Sequence, residues 1–460
     1  MKSLLDLLSV SASRPPSSSS FGNLNEEIVE YSKAYDWYSA THAIEEFLTK
    51  TNGTKEAFEL LGDCCYNLAF QHNTREEFRR VILRAKDAYE KTFDDPRCEA
   101  RAGFCKYCAS DSPDERREVI NSECLPKARE LVSSLDASKK DELISSRAYA
   151  EFLDYLLEAC AISPERKQLL ELIKEAKITG RNAFLRFKAS SDPEIAIPVC
   201  NSYANFLSWA SGQFINSTEQ KQIEDELLPF IGTLSALIEK TGDPRLRSLG
   251  YEIEGIQAGD FKGDWTGASS LLGKALLEAE KTKDSYLLGE QSFLLGYSLV
   301  WASSSSDVAE VRKELGERAV QSLSRAIEYH SLAIAGDLPN SFEFLITSLS
   351  SLSRDSTNVS EKSQYLDRAI EIGRTAMQFL PFYPLSPGDS SLGNVLALKA
   401  ELLSVKGERE RLLSEAVNLI QNHLQRVEKL SEPDSWNLGA YYSNYGFSKA
   451  KLSDEKIGQE

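Results

Sequence analysis

"GDWTGASSLLGKALLEAE", residues 263–280, is the stretch whose reading decides the fold. Its centre, "GASSLLGKA", looks like a phosphate-binding loop opening a helix. The spacing rejects that reading. Five residues separate Gly267 from the Gly273-Lys274 pair, where a phosphate loop has four. Ala275 stands where a metal-holding Ser or Thr belongs, and no strand pattern precedes the glycine. What remains is an amphipathic helix. Ala268, Leu272 and Ala275 are spaced by four and then three, which puts them on one face. Lys274 falls beside that face and toward solvent.

The same face returns along the chain. The small–four–three pattern recurs as Ala40/Ile44/Phe47, Ala85/Tyr89/Thr92, Ala128/Val132/Leu135, Ala176/Gly180/Ala183, Ala319/Leu323/Ala326, Ala369/Gly373/Ala376 and Ala416/Ile420/His423. The intervals between successive first residues are 45, 43, 48, 92, 51, 50 and 47. The long interval holds two periods, with a degenerate copy in "ELLPFIGTLSALIEK" (226–240). A small side chain at the first position lets a neighbouring helix approach closely. The pattern predicts about nine units with a spacing near 47 residues.

A second helix precedes each of these. Examples are "EAFELLGDCCYNLAFQ" (56–71), "EARAGFCKYCA" (99–109), "SSRAYAEFLDYLLEACA" (145–161), "EIAIPVCNSYANFLSWAS" (194–211) and "YLLGEQSFLLGYSLVWA" (286–302). Glycines and aromatics sit together in these segments, as close helix crossings require. Acid–Pro and Ser–Pro pairs at 95–96, 112–113, 163–164, 192–193, 243–244 and 432–433 mark helix starts, the first residue capping and the proline filling the first turn. Strand-type alternation is absent, so the expected class is all-α.

Four segments carry a family resemblance: "GDWTGASSLLGKALLEAE", "LLGDCCYNLA", "AKDAYEKTFDDP" and "AIEIGRTAMQFLP". They resemble the tetratricopeptide-repeat (TPR) superfamily in its Leu-Gly first helix, its Gly-Asp-aromatic turn and its second helix closing with Pro. The period departs from that family's ~34 residues and approaches HEAT and armadillo lengths. The resemblance is to a divergent, TPR-like array with long helices, a HEAT-like array being the alternative. It implies a right-handed α-solenoid of antiparallel hairpins whose first helices line a concave groove. Such a groove receives another protein or a peptide, in some members through Asn side chains that hold peptide backbone or a terminal carboxylate. Asn67, Asn205 and Asn444 are the matching candidates, each close after a tyrosine: Tyr66, Tyr203 and Tyr442. An Asn donates and accepts at once and so can read a peptide bond. The plainer role for each is a surface or capping Asn.

Composition narrows the function. The chain has 460 residues, is 42% hydrophobic and carries a net charge of −17. An acidic surface repels phosphate backbones and anionic headgroups, which disfavours nucleic acid and membrane surfaces. No apolar run approaches the ~20 residues of a spanning helix, so no membrane insertion is expected. "MKSLLDLLSV" has a single early Lys and an interrupting Asp6, a poor match to a cleavable signal. The expected location is cytoplasmic, where the eight cysteines would be reduced, buried small apolar residues. Cys105 and Cys108 in "FCKYC" lie mid-helix with no second Cys-x-x-Cys, so no metal is expected. The four histidines form no ligand motif and no nucleophile elbow appears; neither cofactor nor enzyme chemistry is indicated.

The expected organisation is a disordered Ser/Pro-rich tail at 1–23, a repeat domain over 24–452 and a flexible tail at 453–460. Arg75, Arg79, Arg80 and Arg84 cluster on one helix, with pairing to Glu76 and Glu77 as the simple account. "FLPFYPLSPGDSSLG" (379–393) reads as the longest interruption of the second half, a connector capping the preceding hairpin. The expected function is a non-enzymatic intracellular scaffold or adaptor. A regulatory or sensor subunit and an α-helical enzyme are the alternatives. An open groove favours the binding roles, and a deep pocket with converging carboxylates or histidines favours the enzyme.

Overall fold

A computed structural model describes residues 19–457, apart from 52, 93, 139–140, 215–216 and 431–435. Among the described residues every regular element is a helix. The repeating faces occupy nine of them: Trp37–Lys50, Arg75–Tyr89, Leu125–Ser138, Arg166–Phe187, Ser217–Lys240, Trp265–Glu280, Ala309–Ala333, Val359–Ala376 and Lys406–Val427. The Ala at the head of each of the eight clear copies is at most 3% exposed. The degenerate copy holds Leu234, Leu237 and Ile238 in the core. Each of these helices packs against the helix before it and the helix after it. That double duty is why the small residue is needed.

The partner helices are Ser19–Lys33, Lys55–Ala69, Pro96–Ala109, Glu142–Ile162, Pro193–Phe214, Pro244–Ile256, Ser285–Ser304, Leu338–Asp355 and Gly388–Ala400, and Trp436–Ile457 closes the array. The result is nine antiparallel hairpins and a terminal helix. The third unit alone is lengthened, by Pro113–Val119 and a wide turn at Ile120–Cys124. Four of the six acid–Pro and Ser–Pro signals cap a helix start; Ser163 does not, and Glu432-Pro433 lies outside the described residues. Asp95 accepts from Arg97 N at 3.0 Å, Ser112 from Glu115 N at 3.3 Å and Asp243 from Arg245 N at 2.8 Å. Each such cap contributes about 1 kcal/mol. In the opening stretch Asp264 caps Gly267 N at 2.9 Å, and Lys274 is exposed, its Nζ 5.7 Å from the Tyr251 ring.

The tail expected at 1–23 lies outside the described residues as far as Ser18, and the chain is helical from Ser19. At the other end the last helix runs through Ile457.

The solenoid closes on itself. Tyr35 Oη donates to Asp243 at 2.6 Å, Ser285 N to Phe70 O at 2.7 Å, Arg75 to Leu332 O at 2.6 Å, and Arg166 to Leu430 O at 3.1 Å. Separations of 208 to 264 residues correspond to between four and six repeats. One superhelical turn therefore rests on the next, and the concave surface becomes an interior. Arg116, 1% exposed, is the strongest of these ties. Its guanidinium donates to Ser110 O and Cys108 O in its own turn and to Ala333 O and Ile334 O in the next, over the Tyr107 ring.

Candidate functional site: an acidic interior cavity

The inner surface encloses a cavity of about 1080 Å³, lined by the first helices of the hairpins from Lys55–Ala69 through Leu338–Asp355 and by Tyr441 of the last helix. Eleven carboxylates and four arginines face it, with no lysine and no histidine. The structure thus presents a partly open pocket within the superhelix.

The charges are sorted between two walls. On the N-terminal side carboxylates and arginines are matched. Asp63 sits between Arg97 and Arg101 and also accepts from Tyr89 Oη at 2.7 Å. Arg101 continues to Glu151, and Arg97 to Glu59. Burial alone would raise the Asp63 carboxyl; the Arg101 and Arg97 guanidiniums override it and hold the group below the usual range. Arg147 pairs with Glu194 at 2.8 Å and Arg245 with Asp284 at 2.6 Å.

The other wall holds Asp154 and Glu158 from Glu142–Ile162, Glu252 from Pro244–Ile256, Glu290 from Ser285–Ser304, Asp337 at the head of Leu338–Asp355, and Glu343 within it. None of the six forms an ion pair with a lysine or arginine among the described residues. Burial pushes Asp154, Asp337 and Glu343 up to about 7 and Glu290 up to about 8. Neighbouring carboxylates add to the rise at Asp154, Asp337 and Glu290. Glu252 is raised by burial too, against the amides of Asn201, Asn205 and Gln291. Glu290 lies 3.0 Å from His330 Nε2. Burial lowers His330 to about 4, so at neutral pH the imidazole is uncharged, and the two atoms face each other without a hydrogen bond between them.

The turn between Ala309–Ala333 and Leu338–Asp355 builds this wall. Ile334 and Gly336 take φ of +49° and +65°. At Gly336 a Cβ would collide with the Glu290 carboxylate, so glycine is required twice over. Gly336 N donates to Glu158 at 2.8 Å, and Tyr383 Oη donates to Ile334 O at 2.7 Å. The ties that join successive turns therefore also position Glu158, Glu290 and Asp337.

Of the sequence candidates, Tyr66, Asn67 and Asn205 line the cavity. Asn67 Nδ2 is bonded to Asp63 O at 2.7 Å, and Asn205 stands beside Asn201 and Glu252. Tyr203 does not reach the cavity lining. It is 4% exposed, and its ring fills the space over Gly180 in the packing seam. Tyr442 is 48% exposed and bonded to Glu428, and Asn444 is half-buried outside the cavity; their neighbour Tyr441 faces inward instead. Sequence reasoning passed over the carboxylates. Their signal is Glu151, Asp154 and Glu158 at steps of three and four on one face of "EFLDYLLEACA", and single acids set in apolar runs, as in "LLGEQSFLLG".

Other candidates resolve into structure. All eight cysteines are buried and free. Burial raises Cys65 to about 11 and Cys98 and Cys108 to about 12. The one grouping with metal-like spacing among the described residues, Glu59, Asp95 and Cys98, has its glutamate held by Arg97 and its thiol protonated, a poor donor set. The arginine cluster pairs between helices, not within one: Arg75 and Arg79 with Asp111, Arg84 with Glu45. The 379–393 stretch is a clasp followed by a helix from Gly388. Arg117 bonds Pro381 O, and Arg426 bonds Pro384 O, Ser386 O and Asp389.

No protein-family model and no curated protein matches the chain. Solved structures resemble it at low identity. One is a STAND protein (signal transduction ATPase with numerous domains) with a tetratricopeptide-repeat sensor from Pyrococcus horikoshii, at TM-score 0.42 and 15% identity, covering 89% of this chain and 54% of that one. This chain thus spans about half that protein's length. A second is a Rap protein complexed with competence and sporulation factor, at TM-score 0.37 and 12% identity, covering 95% of this chain and 100% of that one. A circular tandem repeat protein follows at TM-score 0.26 and 14% identity, covering 94% and 98%. The chain is, over its described residues, an all-α array of antiparallel helical hairpins. At these similarities the likenesses bring no function with them. No described helix is long and apolar enough to cross a membrane.

Proposed function

We propose that the protein is a non-catalytic scaffold that receives a segment of a partner protein inside its superhelix. The observation that carries this reading is the interior cavity of about 1080 Å³, presented by seven consecutive first helices, with aromatic rings and a surplus of carboxylates on its walls. A volume of that size lies at the upper end of ligand pockets and fits several side chains of a peptide. Rigid stacked helices offer such a segment a preformed surface, and a few anchors supply the affinity. The candidate polar readers within it are Asn67 and Asn205, with Tyr66 beside them. The localisation that suits this role, and the reduced thiols, is cytoplasmic.

Hydrogen exchange of the full chain, alone and with a co-purified partner, tests the reading. Protection should appear in the first helices, Glu142–Ile162 and Ser285–Ser304 above all. Protection confined to the outer helices would overturn it. The cavity also favours a second reading, an α-helical enzyme. Glu290 and His330, in contact with their proton affinities pushed apart, have the form of an acid–base pair. A small molecule that stabilises the fold and is chemically altered would support the enzyme against the scaffold.

A further inference from the structure

Glu290 stands at the centre of five carboxylates drawn from four helices. It feels the charges of Glu252 and Glu158, and Asp154 and Asp337 feel the charge of Glu290. Each is fixed. Glu158 accepts from Tyr107 Oη at 2.7 Å and Gly336 N at 2.8 Å, Asp337 accepts from Asn340 Nδ2 at 2.8 Å, and one Glu252 oxygen accepts from Gln291. The second oxygen of Glu252, on a residue only 1% exposed, has no donor in good hydrogen-bond geometry, although the Asn201 and Asn205 amides stand near the carboxylate. A buried carboxylate oxygen without a donor is costly unless something else supplies one. Among the described residues no lysine or arginine forms an ion pair with this wall, while every arginine of the cavity is paired on the other.

We propose that this cluster is a receptor for an organic cation, the ammonium or guanidinium of a lysine or arginine side chain in the bound segment. The inference rests on the peptide-binding reading and names the chemistry of its main anchor. A bare metal ion fits poorly, because no three ligand atoms of the cluster lie within 4.8 Å of one another. An ammonium or guanidinium has three to five donors and a larger radius, and so spans carboxylates set that far apart. In the empty protein protons neutralise the cluster; a bound cation replaces them.

The test uses the full chain and a fluorescein-labelled hexalysine peptide read by anisotropy at low salt. Hexaglutamate and a Gly-Ser peptide of equal length are the controls. The double variant Glu252→Gln/Glu290→Gln should weaken hexalysine binding at least ~tenfold, since it removes the charge from a buried pair. The exposed pair Glu310→Gln/Glu408→Gln changes the net charge equally and should leave binding within about twofold. Asp154→Asn should reproduce the loss and serves if the double variant does not fold. Equal binding by wild type and the cavity variants, or an equal loss in the surface pair, overturns the proposal. If a neutral or acidic partner segment protects the first helices while hexalysine does not bind, the cation receptor falls and the peptide reading stands. If spermine binds at the cluster and no peptide enters, the cation chemistry stands and the peptide reading falls.

Discussion

At the scale of single residues, the acidic wall makes stability depend on pH in an unusual direction. Carboxyls of an unfolded chain titrate near 4. Folded, Asp154, Asp337 and Glu343 titrate near 7 and Glu290 near 8. Their folded forms hold protons that the unfolded chain has released, so their contribution is complete below pH ~4 and is lost as pH rises through 7 to 8. His330, lowered to about 4, works the other way, but only below its unfolded value of ~6.5. Between pH 6.5 and 8.5 the carboxylates decide, and the thermal midpoint should fall by ~2 °C or more. Glu252→Gln/Glu290→Gln should flatten that slope; a midpoint that rises with pH would contradict the neutral assignment. The thiols give a second residue-scale test. With all eight buried and protonated, the native protein at pH 8 should react with none of a thiol reagent within minutes and with all eight after denaturation. Cys105 and Cys108 were legible as structural from their place mid-helix. The carboxylates were not legible as a site, because an acid on a helix usually faces water and nothing local says that this one faces a cavity.

At the scale of the helix, the repeated small residue is the feature on which the array turns. Ala319, Leu323 and Ala326 are each fully buried between two neighbouring helices. Ala319→Leu should overpack that seam and cost about 1–3 kcal/mol in denaturant unfolding. The exposed change Lys274→Leu, one position from the equivalent seam, should stay within ~0.5 kcal/mol. Every clear copy of the face was legible because packing on two sides imposes its own spacing on the sequence. The starts of helices Ser19–Lys33 and Gly388–Ala400 were missed for the opposite reason. Their starts are rich in Ser, Gly and Pro, and local propensity there opposes a helix. At Gly388 the helix is set from outside, by Arg426 holding Pro384 O, Ser386 O and Asp389. Tyr203 shows the same limit from another side: helical spacing placed it on a first helix but could not say that its ring would fill the space over Gly180.

At the scale of the whole molecule, contact between successive superhelical turns converts a groove into a cavity. No sequence pattern shows this, because the partners lie 208 to 264 residues apart and meet mostly through backbone carbonyls that every residue possesses. Arg116 carries the largest share. Arg116→Ala should destabilise the fold by about 2–4 kcal/mol, and Arg116→Lys should rescue little of it, since an ammonium cannot reproduce the guanidinium fork across carbonyls of two turns. Loss of that tie should also loosen the cavity wall, because Ile334 and Gly336 belong to the same turn as Asp337. Unfolding monitored by Trp301 fluorescence, inside the cavity, and by total helicity checks whether the two halves still melt together. The most direct test of the central claim is site-specific photocrosslinking in cells, with a photoreactive phenylalanine analogue placed at Phe344 on the cavity wall and, separately, at Val359, which is 63% exposed on the outside. The account predicts a crosslinked partner segment from position 344 and none from position 359; a partner captured only from position 359 would contradict it.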